Sequence, residues 1–512
     1  MLAFKKYVRM LPRLRQIGCS LLVVTLAACA VKLTNRFDPA PNGDVTGAAA
    51  VCSSLAIEPN GAPGGDAGPK LLGRFYSPLS DDGKTLLSPR FDWSGNSITA
   101  RFEATDHITV KLLLEAHPTA DPNVQTVQDL IFEFVVDDLP PATRQITVTT
   151  DAKGNPTTTP LEAYEITGLD ASKPHEVVIY RNTEAEKGII DFNGFDLHGG
   201  HYLPPTRRAR RVEFIGDSIT CGYGLEGNNA TCPYSVTIRS LVDPTTGKSV
   251  LDANGNPVTV DLPVTENQYL TYVAQAARAL DADPVTYCWS GRGVYKNLKE
   301  NWVLGATSRV PELEPDATKT VPDLWNERTL GSDYEGSDAG TILDGGTAWD
   351  FSVEKPEDIP QVVVVNLGTN DFSRDTKNNV TGQSNMTPGK DPGDNIPDGD
   401  LDSTAELELF FQKYLKFVQQ IRLHRPQAHI FLATPPMLSD QYPLVNARSH
   451  LKAILVRIVE EMQKVGDQKV YKMDLVEMGS RYGLGCDYHP NRTVHDIMAT
   501  QLVGAIRSKT CW

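Results

Sequence analysis

The 512-residue sequence has no Cys-x-x-Cys pair, so zinc-ribbon and thioredoxin-type chemistry have no support in it. Clustered Lys and Arg are nearly as scarce, occurring only in the first 15 residues and in the short run Arg207-Arg208-Ala209-Arg210-Arg211. With 49 basic against 64 acidic residues and a formal charge of −15, the chain lacks the basic surface that a phosphate backbone requires, and a nucleic-acid partner is excluded. Only one long apolar run is present, near the N-terminus, which excludes a multi-span membrane protein. No internal repeat is found. What remains is 40% apolar residues with charge spread along the chain, the composition of a soluble, globular body with room for two or three domains.

Residues 1–16 carry Lys5, Lys6, Arg9, Arg13 and Arg15 and no acid, and an apolar segment from Ile17 to Ala28 follows. This is the layout of a signal peptide, with an apolar stretch too short for a comfortable membrane span. Leu26-Ala27-Ala28-Cys29 resembles the lipobox of bacterial lipoproteins, which implies acylation of Cys29 and an envelope location, anchored in the outer membrane. Loss of residues 1–28 removes five positive charges and no acid, which takes the mature chain from −15 to −20. An oxidising compartment then favours disulfides among Cys52, Cys221, Cys232, Cys288, Cys486 and Cys511. Spacing does not fix connectivity; the short-loop pairs Cys221–Cys232 and Cys486–Cys511 are the expectation, with Cys52 and Cys288 free.

From Pro39 to Pro69, 11 of 31 residues are Gly or Pro, so residues 29–70 read as a flexible tether. Residues 71–205 show short alternating segments such as Ser97–Ala104, Ile108–Leu114, Ile131–Val136 and His175–Arg181, which predict a small antiparallel β-sandwich of jelly-roll type. Residues 206–512 alternate apolar strands (Arg211–Ile215, Pro284–Cys288, Gln361–Leu367, His429–Ala433, Val470–Asp474) with amphipathic helices (Asn267–Leu280, Ser403–His424, Ala447–Val465, Thr493–Ser508). That alternation predicts a three-layer α/β/α domain around a parallel sheet. Two stretches interrupt it: Ser235–Pro263, read as a β-hairpin excursion, and Arg374–Asp400, read as a mobile surface loop.

Chemistry gathers at the strand ends. Gly216-Asp217-Ser218 follows the first strand and is not the Gly-x-Ser-x-Gly elbow of α/β-hydrolases. Ser290-Gly291-Arg292-Gly293 follows the second strand and offers backbone N–H groups. Asn366-Leu367-Gly368-Thr369-Asn370-Asp371 follows the third and offers a side-chain amide. Cys486-Asp487-Tyr488-His489-Pro490 near the C-terminus supplies an imidazole. Together they make a nucleophile, donors for an oxyanion and a base, the parts that acyl transfer needs. Asp217, Thr369 and Asp371 read as turn and packing residues. His495, six residues past His489, is explained by a helix starting near Thr493, so no metal or other cofactor is expected.

The ordered quartet of blocks resembles the SGNH (GDSL) hydrolases. With Thr265-Glu266-Asn267, Trp349-Asp350-Phe351-Ser352 and the preceding β-sandwich, residues 71–512 outside the two inserted stretches resemble the family 2 carbohydrate esterases, two-domain deacetylases of plant polysaccharides such as xylan and glucomannan. The resemblance implies Ser218 as nucleophile, His489 as base, and an oxyanion hole from the Ser218 and Gly291 N–H groups and the Asn370 amide. One position departs from the pattern: where many SGNH enzymes have Asp-x-x-His, Cys486 stands here. Either the Asp487 carboxylate reaches the ring from a bent loop, completing a triad, or a backbone carbonyl orients it, giving a dyad. Trp289 and Trp349 are candidates for sugar-stacking walls or for core. The implied partner is an acetylated polysaccharide or oligosaccharide. A lipolytic esterase or thioesterase, and a glycan-binding surface lipoprotein on a decayed hydrolase frame, are the competing readings.

Overall fold

The computed structural model describes residues 67–512 except 81–83, 116–125, 138, 148, 151–155, 158–161, 244–245, 252–254, 299–319, 332–347, 374–400, 402, 442 and 480. The expected leader, Cys29, Cys52, residues 29–66 of the tether and the whole of the 374–400 loop therefore lie outside the described residues.

Two antiparallel sheets form the N-terminal lobe. One orders Lys70–Leu72, Ser97–Glu103, His175–Arg181, Leu130–Val136 and Ala142–Ile146, with His201–Leu203 also on Ser97–Glu103; the other orders Glu162–Thr167, His107–Glu115, Ile189–Asp196 and Arg90–Phe91. Alternate residues such as Ile98, Phe102, Val110, Leu112, Phe132 and Phe134 point between the sheets and form the core.

The second lobe is a five-stranded parallel sheet: β1 (Arg210–Gly216), β2 (Ala282–Cys288), β3 (Val362–Asn366), β4 (His429–Thr434) and β5 (Val470–Asp474), in the order β2-β1-β3-β4-β5. Its strands are apolar on both faces because both are covered. Val212, Phe214, Val362, Val364, Phe431 and Ala433 pack toward helices α2 (Tyr272–Leu280) and α6 (Arg492–Thr510). Ile215, Val363, Val365, Ile430 and Leu432 pack toward α3 (Val321–Glu327), α4 (Thr404–His424) and α5 (Ala447–Lys464). A four-residue helix, α1 (Ser218–Cys221), follows β1. The chain passes from β1 to β2 on one side and then returns from β2 across β1 to β3 on the other, and that reversal puts a crevice at the carboxyl ends of β1 and β3.

Two expectations are refined. The predicted helix Asn267–Leu280 is a 3-10 turn, Gln268–Leu270, and then α2, because Thr271 between them is extended at φ −68°, ψ 166°. The 235–263 excursion does pair Val236–Ser240 with Thr259–Leu262, but the latter also lies parallel to Thr126–Gln128 of the sandwich. Leu241, Val258 and Val260 from it are buried in the sandwich core, and Arg239 makes a two-pronged ion pair with buried Asp129 at 2.7 and 2.8 Å. The two lobes share further polar ties, such as Trp93 Nε1 to the Thr329 carbonyl at 3.0 Å and Gly331 N–H to Asp92 at 2.9 Å.

Candidate active site

Ser218 is the first residue of α1, and its position is set by the turn around it. Asp217 caps that helix by accepting the Ile219 N–H at 3.0 Å. Gly216 has no room for a side chain, since a Cβ there would lie 1.9 Å from the Thr220 hydroxyl. The register places Gly216 beside Cys288 and Asn366, so the segments after β2 and β3 flank the serine.

His489 comes from the turn before α6 and donates or accepts at both ring nitrogens. Its Nε2 is 2.8 Å from Ser218 Oγ, and its Nδ1 is 3.0 Å from the backbone carbonyl of Asp487. The Asp487 carboxylate is elsewhere: it accepts the Tyr223 phenol O–H at 2.7 Å. The ring is thus in contact with Ser218 Oγ and with a backbone carbonyl, and the Asp487 carboxylate, expected as a candidate third member, lies on Tyr223 instead of on the ring. Asp487 (φ 48°) and Tyr488 (φ 60°) both sit in the left-handed region, a strained arrangement for residues with a Cβ that turns the Asp487 carbonyl onto the ring. The surroundings hold the loop in place: Cys486 is disulfide-bonded to Cys232, and its N–H donates to the Gly224 carbonyl at 3.1 Å.

Burial pushes the His489 imidazole down to about 4, partly opposed by its hydrogen bond to Asp487 and by that residue's charge. The ring is therefore neutral at ordinary pH, with Nε2 free to take a proton if Nδ1 carries the hydrogen toward the carbonyl. Substituting Asp487 by Asn keeps that carbonyl and removes a charge that favours the imidazolium. Asp487→Asn is expected to lose less than about tenfold in kcat, against roughly ten-thousandfold where a carboxylate sets the tautomer. The acid limb of its kcat/KM profile should move to lower pH. A folded variant as inactive as His489→Ala would overturn this assignment.

The remaining blocks assemble around the same crevice. Gly291 has φ +76°, and its carbonyl accepts the Leu298 N–H at 2.7 Å. The Asn370 amide donates one hydrogen to the Arg292 carbonyl at 2.9 Å, leaving its other N–H for a ligand. Asp371 is buried and collects the N–H groups of Val294, Tyr295 and Lys296 at 3.0, 2.6 and 3.1 Å, so it shapes the loop that carries Gly291.

Other sequence expectations are corrected. The disulfides are Cys221–Cys288 and Cys232–Cys486, with Cys511 also bonded, so neither Cys221–Cys232 nor Cys486–Cys511 forms and Cys288 is not free. The reason is the parallel sheet: it brings the segment after β1 next to the end of β2, with Cα atoms 5.6 Å apart, and that outweighs closeness along the chain. Trp289 is core, 2% exposed and edge-on to Trp93, and so is no stacking wall. Trp349 packs under the buried Arg74 guanidinium at 4.6 Å and beside Phe351. His495 is fully buried and accepts the Tyr272 N–H at 3.1 Å through Nδ1. Among the described residues no group of three or more His, Cys, Asp or Glu is placed to hold a metal ion.

The aromatics that do reach the site were not singled out from sequence. Tyr223 lies 4.5 Å from the His489 ring and stacks flat on Tyr234 at 3.8 Å, while Tyr488, next to His489, is 60% exposed. Their places, inside Gly222-Tyr223-Gly224 and immediately before His489, were the available signal.

Residues 214–497 match the GDSL-like lipase/acylhydrolase family. The chain belongs to that family. Residues 82–206 match the carbohydrate esterase 2 N-terminal domain, so this GDSL-family chain carries its hydrolase fold behind a second recognisable domain. It is similar to the cellulase/esterase CelE of Acetivibrio thermocellus, 26% identical over 85% of this chain, and spans 41% of that relative's length. An acetylxylan esterase/glucomannan deacetylase of Cellvibrio japonicus is 24% identical over 69% of this chain and 72% of its own. Among solved structures, a family two carbohydrate esterase from Clostridium thermocellum in complex with cellohexaose is 26% identical, with a TM-score of 0.56, covering 86% of this chain and 98% of that one.

Proposed function

We propose that this GDSL-family chain is a serine-dependent esterase that removes O-acetyl groups from polysaccharides such as xylan or glucomannan. The observation that carries the reading is the Ser218 Oγ to His489 Nε2 hydrogen bond, with the ring braced by the Asp487 carbonyl, at the carboxyl ends of adjacent parallel strands. Ser218 Oγ attacks the acetyl carbonyl carbon as its proton passes to His489 Nε2. The negative oxygen that forms is met by the Ser218 and Gly291 N–H groups and the free N–H of Asn370. Collapse expels the sugar oxygen, which takes the proton from His489, and leaves an acetyl ester on Ser218. Water, deprotonated by His489, then releases acetate.

The choice of an acetylated sugar as substrate is supported by the names of the relatives and by the exposed Tyr488 next to His489, since a flat aromatic face suits a sugar ring. Protein lacking residues 1–66 should release acetate from acetylated xylan or glucomannan. Cleavage confined to long-chain acyl esters would replace this substrate with a lipid, and binding of glycan without any turnover would replace the enzyme with a binding protein.

The basic leader and Leu26-Ala27-Ala28-Cys29 support export and lipid anchoring at Cys29 as part of the same reading. The native protein should partition with membranes and Cys29→Ser should not. A correctly processed Cys29→Ser protein that stays with the membrane would refute the anchor.

A further inference from the structure

We propose that Glu184, a residue of the β-sandwich lobe, is a positioning residue for the oxyanion donors of the hydrolase lobe. This rests on the acyl-transfer reading above and adds a residue to it from outside the four motif blocks.

Glu184 follows the sandwich strand His175–Arg181 and immediately precedes a 3-10 turn, Ala185–Lys187. Its side chain is buried, 1% exposed, against the second block. One carboxylate oxygen accepts the Ser290 backbone N–H at 2.7 Å and the other accepts the Ser290 hydroxyl. Ser290 immediately precedes Gly291, so this grip on the Trp289–Ser290 peptide and on the Ser290 side chain constrains the path of the chain into the peptide that presents the Gly291 N–H. The next residue, Arg292, offers the carbonyl that holds the Asn370 amide at 2.9 Å. One loop therefore aims two of the three donors.

That loop is held at both ends. Asp371 pins residues 294–296 from inside the hydrolase lobe, and Glu184 pins residue 290 from the sandwich. Placing a carboxylate in that interior is costly: burial and the neighbouring Glu186 push Glu184 up, opposed by the charge of Lys187 and by the two hydrogen bonds from Ser290. A carboxylate gripped this way acts through geometry: oxyanion donors lose effect when displaced by a fraction of an ångström. It also gives the sandwich lobe a part in turnover beyond any contact with substrate.

The test uses the full chain, an aryl acetate and acetylated xylan. Glu184→Ala should lower kcat about 10- to 100-fold with KM changed less than about threefold, since only transition-state binding is touched. Glu184→Gln should recover to within about fivefold of wild type, because its oxygen still accepts the Ser290 N–H. Combining Glu184→Ala with Asn370→Ala should cost well below the product of the two separate losses, since both act through the same donors. Should Glu184→Ala not fold, Glu184→Asp, which withdraws the carboxylate by one methylene, carries the test, with about a tenfold fall in kcat expected. A folded Glu184→Ala or Glu184→Asp with wild-type kcat, or strict multiplication of the Glu184 and Asn370 losses, overturns the proposal. Ser218→Ala run in parallel separates the two levels: if it stays active the acyl-transfer reading falls, whereas an inactive Ser218→Ala beside fully active Glu184 variants defeats only this inference.

Discussion

Ser218→Ala and His489→Ala are each expected to reduce turnover by at least about a thousandfold, a loss of roughly 4 kcal/mol of transition-state stabilisation. Losses can approach 10⁶-fold where nucleophile and base act as a unit. The 2.8 Å contact between Ser218 Oγ and His489 Nε2 makes them one. Without the imidazole the hydroxyl stays protonated, and without the hydroxyl the imidazole can only activate water. The double variant should accordingly be no worse than the poorer single one. The measurement is acetate release under saturating substrate, with a thermal melt to establish folding. A folded Ser218→Ala retaining more than about a tenth of wild-type turnover would remove the nucleophile assignment, and losses that multiply in the double variant would show that the two side chains work independently.

Asn370→Ala is expected to cost about 10²- to 10³-fold, mostly in kcat, the usual scale for one oxyanion donor. Its amide has two hydrogens. One is committed to the Arg292 carbonyl at 2.9 Å, and the other is available to the oxyanion that forms only when the acetyl carbon becomes tetrahedral. Because the ground-state ester gains less from that second hydrogen, KM should move little. Part of the loss passes through the loop, since removal of the amide also frees the Arg292 carbonyl. A change in KM with kcat intact would place Asn370 in substrate binding instead.

Much of this was readable in sequence because it is local. Five apolar strands with β-branched residues, such as Val362-Val363-Val364-Val365, and helices with regular apolar spacing declare themselves over short stretches of chain. So does a Gly-Asp-Ser turn after a strand, where Asp217 caps the helix that Ser218 begins. A parallel sheet puts all its carboxyl ends on one edge, and the order β2-β1-β3 then sets the glycine and asparagine blocks on either side of the serine.

The sequence by itself determined the layered hydrolase fold, the sandwich before it and the residues gathered at the strand ends. Only the tertiary structure decided how those residues are supported, because support comes from contacts between segments far apart in the chain. Cys221 met Cys288 across neighbouring strands, and Cys232 met Cys486 over 254 residues, where spacing along the chain favoured shorter loops. The Asp487 carboxylate went to Tyr223 because the left-handed turn at residues 487 and 488 sends its carbonyl to the histidine. Glu184 reached Ser290 because two lobes with separate sequence signatures pack against each other, and no periodicity in either lobe encodes the place where they touch.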